Sequence, residues 1–209
     1  WSSDVCSSDL WAHCHEVFMN YPLSIVKTFH RNLDDVVEVF ERINQGGKRL
    51  TAYDLIQAST WSEKFDLNEK IGDFNQLPYV KKMGGLSNRI FTQSLAINAF
   101  GNCKNSTQLK LTPKICQKIW PETRLSLSKT MDFFKSLRIS NDLVSYEVFV
   151  PVLQYYFFVS KLETIQENHV KTIEKWFWDS KFSKRYSLSA LSRMKEDLSW
   201  VEKLINESL

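Results

Sequence analysis

The run Val148-Phe-Val-Pro-Val-Leu-Gln-Tyr-Tyr-Phe-Phe-Val159 is the longest apolar stretch of the chain, and its reading decides the fold. It is shorter than the roughly 20 residues that a membrane-spanning helix needs, and it contains Pro151 and Gln154. It therefore predicts a helix over 144–160, apolar nearly all round and buried in protein, with no membrane partner. The 209 residues suffice for one sizeable core or two small ones, and 43% hydrophobic content with 24% charge suits a folded globular chain.

Working outward, the apolar residues recur at helical spacing. Ile165, His169, Ile173, Trp176 and Phe177 mark one helix, and Leu188, Leu191, Met194, Leu198, Val201 and Ile205 mark a last one near 188–207. Upstream, helices are expected at 67–76, at 88–100 and from Thr112-Pro113, an N-cap followed by a first-turn proline. Pro121 is expected to break or restart that helix, with Leu127, Met131, Phe134 and Leu137 carrying the next apolar face. From Asn32, the residues Leu33, Val36, Val37, Phe40 and Ile43 form one helical face that ends at Gly46-Gly47. Thr51 then starts another helix by accepting from the Asp54 amide. Leu23 to Phe29 is the one strand candidate. The expected fold class is mainly α: a multi-helix globular domain with at most one or two short strands near 23–29.

The opening WSSDVCSSDL repeats Ser-Ser-Asp and reads as a non-native linker, so residues 1–10 are set apart from a helical domain over 11–209. The natural protein is accordingly expected to be longer. Cys6, Cys14, Cys103 and Cys116 show no paired spacing, which fits free thiols and a cytoplasmic setting. The triplet His13-Cys14-His15 lacks the further ligands that a tetrahedral zinc requires, so no metal site is expected in these residues.

A net charge of +3, from 27 basic and 24 acidic residues, gives no argument for a polyanionic partner, so any basicity that matters is local. Between 171 and 195 there are seven basic residues and two acidic ones, a local balance of +5, set among Trp176, Trp178, Phe182 and Tyr186. Aromatics among cations suit nucleic-acid backbones and bases, which makes Lys181, Lys184, Arg185 and Tyr186 candidate DNA contacts. The same residues also fit a packed aromatic stripe with a solvated face. The loop Arg42-Ile-Asn-Gln-Gly-Gly-Lys-Arg49 offers backbone amides to a phosphate, or simply caps a helix. The four histidines are scattered, and no complete catalytic constellation is legible.

Two of these stretches carry a family resemblance. Val36 to Ala58, VVEVFERINQGGKRLTAYDLIQA, resembles the F-x-R-I-N-x-G-G-x-x-L segment of the N-terminal, ParB-like nuclease domain of GmrSD-type restriction endonucleases. Trp176 to Ser187, WFWDSKFSKRYS, resembles a second segment, and the likeness covers roughly 22–209. It implies a modification-dependent restriction or anti-phage protein, in which a nucleotide-hydrolysing domain licenses a His-Asn-His nuclease domain or subunit to cut DNA. On that resemblance Arg42, Asn44, Gly46 and Gly47 lie beside the ligand, and the full-length protein uses a nucleoside triphosphate and a divalent metal. The family's Asp-Gly-Gln-Gln-Arg segment is absent from these residues, and no nuclease motif follows. The expectation is a fragment without catalytic residues of its own, the alternative being a non-catalytic helical module that binds DNA or a partner.

Overall fold

Every residue from Phe149 to Phe157 is buried, Gln154 and both tyrosines included. A computed structural model describes residues 7–22, 39, 42, 51–138 and 148–207. Among them run ten helices: α1 Ser7–Met19, α2 Ala52–Thr60, α3 Leu67–Asn75, α4 Pro78–Lys82, α5 Asn88–Phe100, α6 Asn105–Gln108, α7 Pro113–Ser136, α8 Phe149–Ser160, α9 Glu167–Phe182 and α10 Ala190–Asn206. The described residues contain no strand, only an isolated bridge between Ser62 and Phe65. The mainly α expectation holds for them. The strand candidate at 23–29 and most of the helix expected from Asn32 lie outside the described residues.

The chain divides into two compact units, Trp1–Asn32 and Leu33–Leu209. The first contains α1, which begins inside the decapeptide set apart as linker; Trp11 and His15, one turn apart, stack at 5.2 Å. The second contains all the other helices. Its centre is α8, which packs against α7, α5 and α10. Rings continue the core into α9: Phe149 lies 4.6 Å from Phe177, which lies 5.6 Å from Phe134 of α7.

Local signals place the helix ends as expected. Thr51 and Asp54 form a reciprocal capping box, the Thr51 amide donating to Asp54 Oδ2 at 2.6 Å. Asp66 caps α3 by accepting from the Asn68 amide at 2.8 Å. Gly101, at φ 67°, closes α5 in the left-handed conformation that glycine adopts without a Cβ penalty. The five-residue α4 and four-residue α6 are too short to display a period, so pattern reading passes over them.

One buried polar group fixes how α8 meets its neighbours. The side-chain amides of Asn98 on α5 and Gln154 on α8 donate to each other's carbonyl oxygen at 3.1 Å in both directions, and Asn98 also donates to Thr123 Oγ1 of α7 at 2.9 Å. Unpaired, the fully buried Gln154 amide would cost about 1–3 kcal/mol, so the pairing favours one register of α5 on α8 over its slipped alternatives.

Pro121 does not break its helix, correcting the sequence expectation: α7 runs unbroken from Pro113 to Ser136. Pro121 is exposed, so the Gln117 carbonyl that loses its helical partner faces the solvent side. The two halves are held by Cys116 and Trp120 before the proline and by Leu127, Met131 and Phe134 after it, all buried. At about 1.5–3 kcal/mol for each large apolar side chain, that burial exceeds the proline penalty of about 3 kcal/mol. Replacing Pro121 by Ala is therefore expected to stabilise the fold by about 1–3 kcal/mol, measured as a raised denaturation midpoint in urea with an unchanged slope. A lowered midpoint would show that the ring supplies packing that outweighs its backbone cost.

Candidate functional site

The second motif segment, Trp176 to Ser187, forms the last turns of α9 and the turn that follows. Lys184 and Ser189 take left-handed backbone conformations, at φ 53° and 54°, and the Arg185 amide donates to the Ser180 carbonyl at 3.1 Å. This turn folds Arg185 and Tyr186 back over the helix, where both meet Asp197 of α10. Arg185 grips the carboxylate side-on, Nε to Oδ2 at 3.2 Å and Nη2 to Oδ1 at 2.9 Å. The Tyr186 hydroxyl donates to the same Oδ2, and its ring meets Phe149 edge-on at 5.4 Å. Asp197 is 4% exposed, so a buried carboxylate is matched by a guanidinium and a phenol. Burial first, and then the hydrogen bond to Asp197, push the Tyr186 phenol well above its ordinary range. The hydrogen bond to Asp197 is also what raises Arg185.

Beside this network lies an open cleft of about 510 Å³ between α9 and α10, lined by Lys175, Trp176, Asp179, Arg185, Glu196 and Trp200 among others. Trp176 and Trp200 stack at 5.6 Å, and the Trp176 indole N–H is buried without a partner. The charges around the cleft are matched in pairs: Lys175 with Asp179 at 2.9 Å, Arg185 with Glu196 at 2.9 Å and Arg193 with Glu196 at 3.0 Å. Chemically this is a clamp that ties α9 to α10.

The predicted DNA contacts thus separate into two sets. Lys184 is exposed and Lys181 is half-buried. Arg185 is committed to two carboxylates, and Tyr186, at 5% exposure, has no ring face available for stacking on a base. The partners that sequence reading missed are Glu196 and Asp197, which stand directly after the window whose balance is +5. Of the motif residues carried over from the family, Arg42 is helical and exposed, while Asn44, Gly46 and Gly47 lie outside the described residues. His169 is buried, its Nδ1 2.8 Å from the Tyr156 hydroxyl, which itself accepts from the Gln166 amide at 3.3 Å. Among the described residues no group of three or more His, Cys, Asp or Glu is placed to hold a metal, and no helix is long and apolar enough to cross a membrane.

Two measurements follow from this geometry. Asp197→Ala leaves a half-buried guanidinium and a buried phenol without their acceptor, and is expected to cost about 3 kcal/mol in chemical denaturation; Tyr186→Phe, which leaves the ion pair intact, is expected to cost about 1 kcal/mol. Equal losses would show that the carboxylate matters only through the phenol. Burial pushes the Cys103 thiol up to about 11 and Cys116 up to about 12, so both stay protonated and shielded at pH 8, whereas Cys14 is exposed to reagent. Peptide mapping after mild thiol labelling at pH 8 should find Cys14 modified and Cys103 and Cys116 unmodified until denaturant is added.

The chain is 24% identical over 225 residues to the uncharacterized protein MJ0686 of Methanocaldococcus jannaschii, an alignment that covers 96% of this chain. The chain spans 37% of that relative's length. No family model matches the chain, and no solved structure matches it.

Proposed function

We propose that this chain is the helical part of the nucleotide-hydrolysing N-terminal domain of a GmrSD-type, modification-dependent restriction protein acting in anti-phage defence. The observation that carries the reading is the run Phe40-Glu-Arg-Ile-Asn-Gln-Gly-Gly-Lys-Arg-Leu50, followed at once by the Thr51–Asp54 capping box that opens α2. Two glycines before a capped helix are what a loop needs if its amides are to approach a phosphate. The second motif segment supports the reading differently: it forms the Arg185–Tyr186–Asp197 clamp, a reason for those residue types to stand together that owes nothing to catalysis.

In this reading the whole protein binds DNA carrying modified bases, works with a His-Asn-His nuclease domain or subunit, and uses a nucleoside triphosphate with a divalent metal. The setting is cytoplasmic, in keeping with the free thiols of Cys14, Cys103 and Cys116. Arg42, Asn44, Gly46 and Gly47 are the ligand-adjacent positions. The 209 residues contain no Asp-Gly-Gln-Gln-Arg segment, so the chain by itself is expected to be inactive.

The test compares this chain with a longer version from the same gene that includes such a segment. Phosphate release from nucleoside triphosphates in the presence of magnesium is expected from the longer protein and not from this chain. Asn44→Ala in the longer protein is expected to lower that rate at least tenfold, a transition-state loss of about 1.4 kcal/mol, with an unchanged melting temperature. If Asn44→Ala instead lowers stability and leaves the rate intact, the loop is a cap and the reading fails at its central residue.

A further inference from the structure

The small net charge conceals a segregation along the chain. Residues 1–73 hold seven basic and twelve acidic side chains, and residues 122–209 hold thirteen and twelve. Between them, residues 74–121 hold seven basic side chains and no acidic one: Lys81, Lys82, Arg89, Lys104, Lys110, Lys114 and Lys118. All seven are exposed, and none forms an ion pair among the described residues. The contrast with α9 and α10 is physical. There Lys175, Arg185 and Arg193 are matched by Asp179, Glu196 and Asp197; here no ion pair engages any of the seven among the described residues.

Part of this unpaired charge is gathered around an exposed aromatic ring. An open cleft of about 750 Å³ lies where the 61–65 turn meets the start of α7, lined by Trp61, Glu63, Lys64, Thr112, Lys114 and Gln117 among others. Trp61 is 57% exposed. The turn is held firmly: the Ser62 and Phe65 amides bond each other's carbonyl at 2.9 and 3.0 Å, Gln117 Nε2 donates to the Lys64 carbonyl at 3.3 Å, and Phe65 packs edge-on to Trp120 at 6.1 Å. Lys118 stands one helical turn beyond Lys114, so both project from the same side of α7. Among the described residues, Glu63 is the one carboxylate lining the cleft.

We propose that Trp61, Lys64, Lys114 and Lys118 form a contact surface for single-stranded nucleic acid, the lysines following the phosphodiester backbone and the Trp61 indole stacking on an unpaired base. Phosphates are the partner that exposed ammonium groups outside ion pairs favour, because each contact releases condensed counterions. A rigidly mounted, solvent-facing indole among them supplies the sequence-tolerant stacking that a single strand offers and a closed duplex does not. This surface is independent of the restriction reading, since it rests on charge and exposure and its readout is binding, not hydrolysis.

The experiment is fluorescence anisotropy of a labelled dT20 strand with the full chain across a salt series. Parallel arms use the same label on a 20-base-pair duplex, and co-sedimentation with phosphatidylserine vesicles. Binding to dT20 is expected to weaken steeply with salt. The triple variant Lys64→Gln/Lys114→Gln/Lys118→Gln should shallow the log–log slope by about 2, at roughly 0.7 per phosphate contact. Trp61→Ala should weaken dT20 binding about fivefold or more while leaving the slope and duplex binding unchanged. Lys181→Gln/Lys184→Gln should leave the slope as it is. Equal binding by the triple variant and the parent at every salt concentration overturns the proposal. So does a slope that falls in the Lys181/Lys184 variant instead, an unaffected Trp61→Ala, or capture by vesicles without binding to dT20. Apart from half-buried Lys181, these substitutions are at exposed positions, and an unchanged melting temperature verifies the fold of each variant.

Discussion

The burial of α8 on every side is the constraint from which the rest of the larger unit follows. A helix with a polar face can rest on one neighbour, but one buried from Phe149 to Phe157 leaves no side for water. It needs α5, α7 and α10 around it, and the rings of Phe134, Phe149 and Phe177 extend the contact to α9. Apolar contacts are non-directional, so they constrain the register of such a helix less sharply than a buried hydrogen bond does. The reciprocal amides of Asn98 and Gln154 make the choice, because sliding either helix strands a buried polar group.

Asp197 plays the corresponding part at the other end of the core. It is the acceptor on which the α9–α10 turn closes, drawing Arg185 and Tyr186 inward and setting Tyr186 against Phe149. This arrangement matches Arg185, in a segment that looks basic along the chain, and Lys175 and Arg193 are paired beside it. Between 74 and 121 the sequence holds seven basic residues and no acidic one, and none of the seven forms an ion pair among the described residues. Charge that matters to a partner is charge the fold has not already matched, so pairing, more than composition, separates the two basic regions.

Much of the helical architecture was legible in the sequence because its signals are local. Thr51, Asp66 and Thr112 cap helices through side chains within three residues of the amides they bond, Gly101 ends α5 by its own backbone freedom, and the apolar period of α3, α9 and α10 is set by 3.6 residues per turn. The unbroken course of α7 through Pro121 was not legible, since propensity prices the proline but not the packing of Trp120 on one side and Leu127 on the other.

The sequence by itself determined the fold class, the buried character of Phe149–Phe157, most helix boundaries, and the motif residues on which the family resemblance rests. Only the tertiary structure decided which charges are free. Arg185 finds its partners eleven and twelve residues away, on the next helix, and Asn98 meets Gln154 across fifty-six residues. Trp61 and Lys64 reach Lys114 by the docking of a short turn onto the start of α7. Such pairings depend on how helices are laid against one another, and the spacing of residues within a helix carries no record of that.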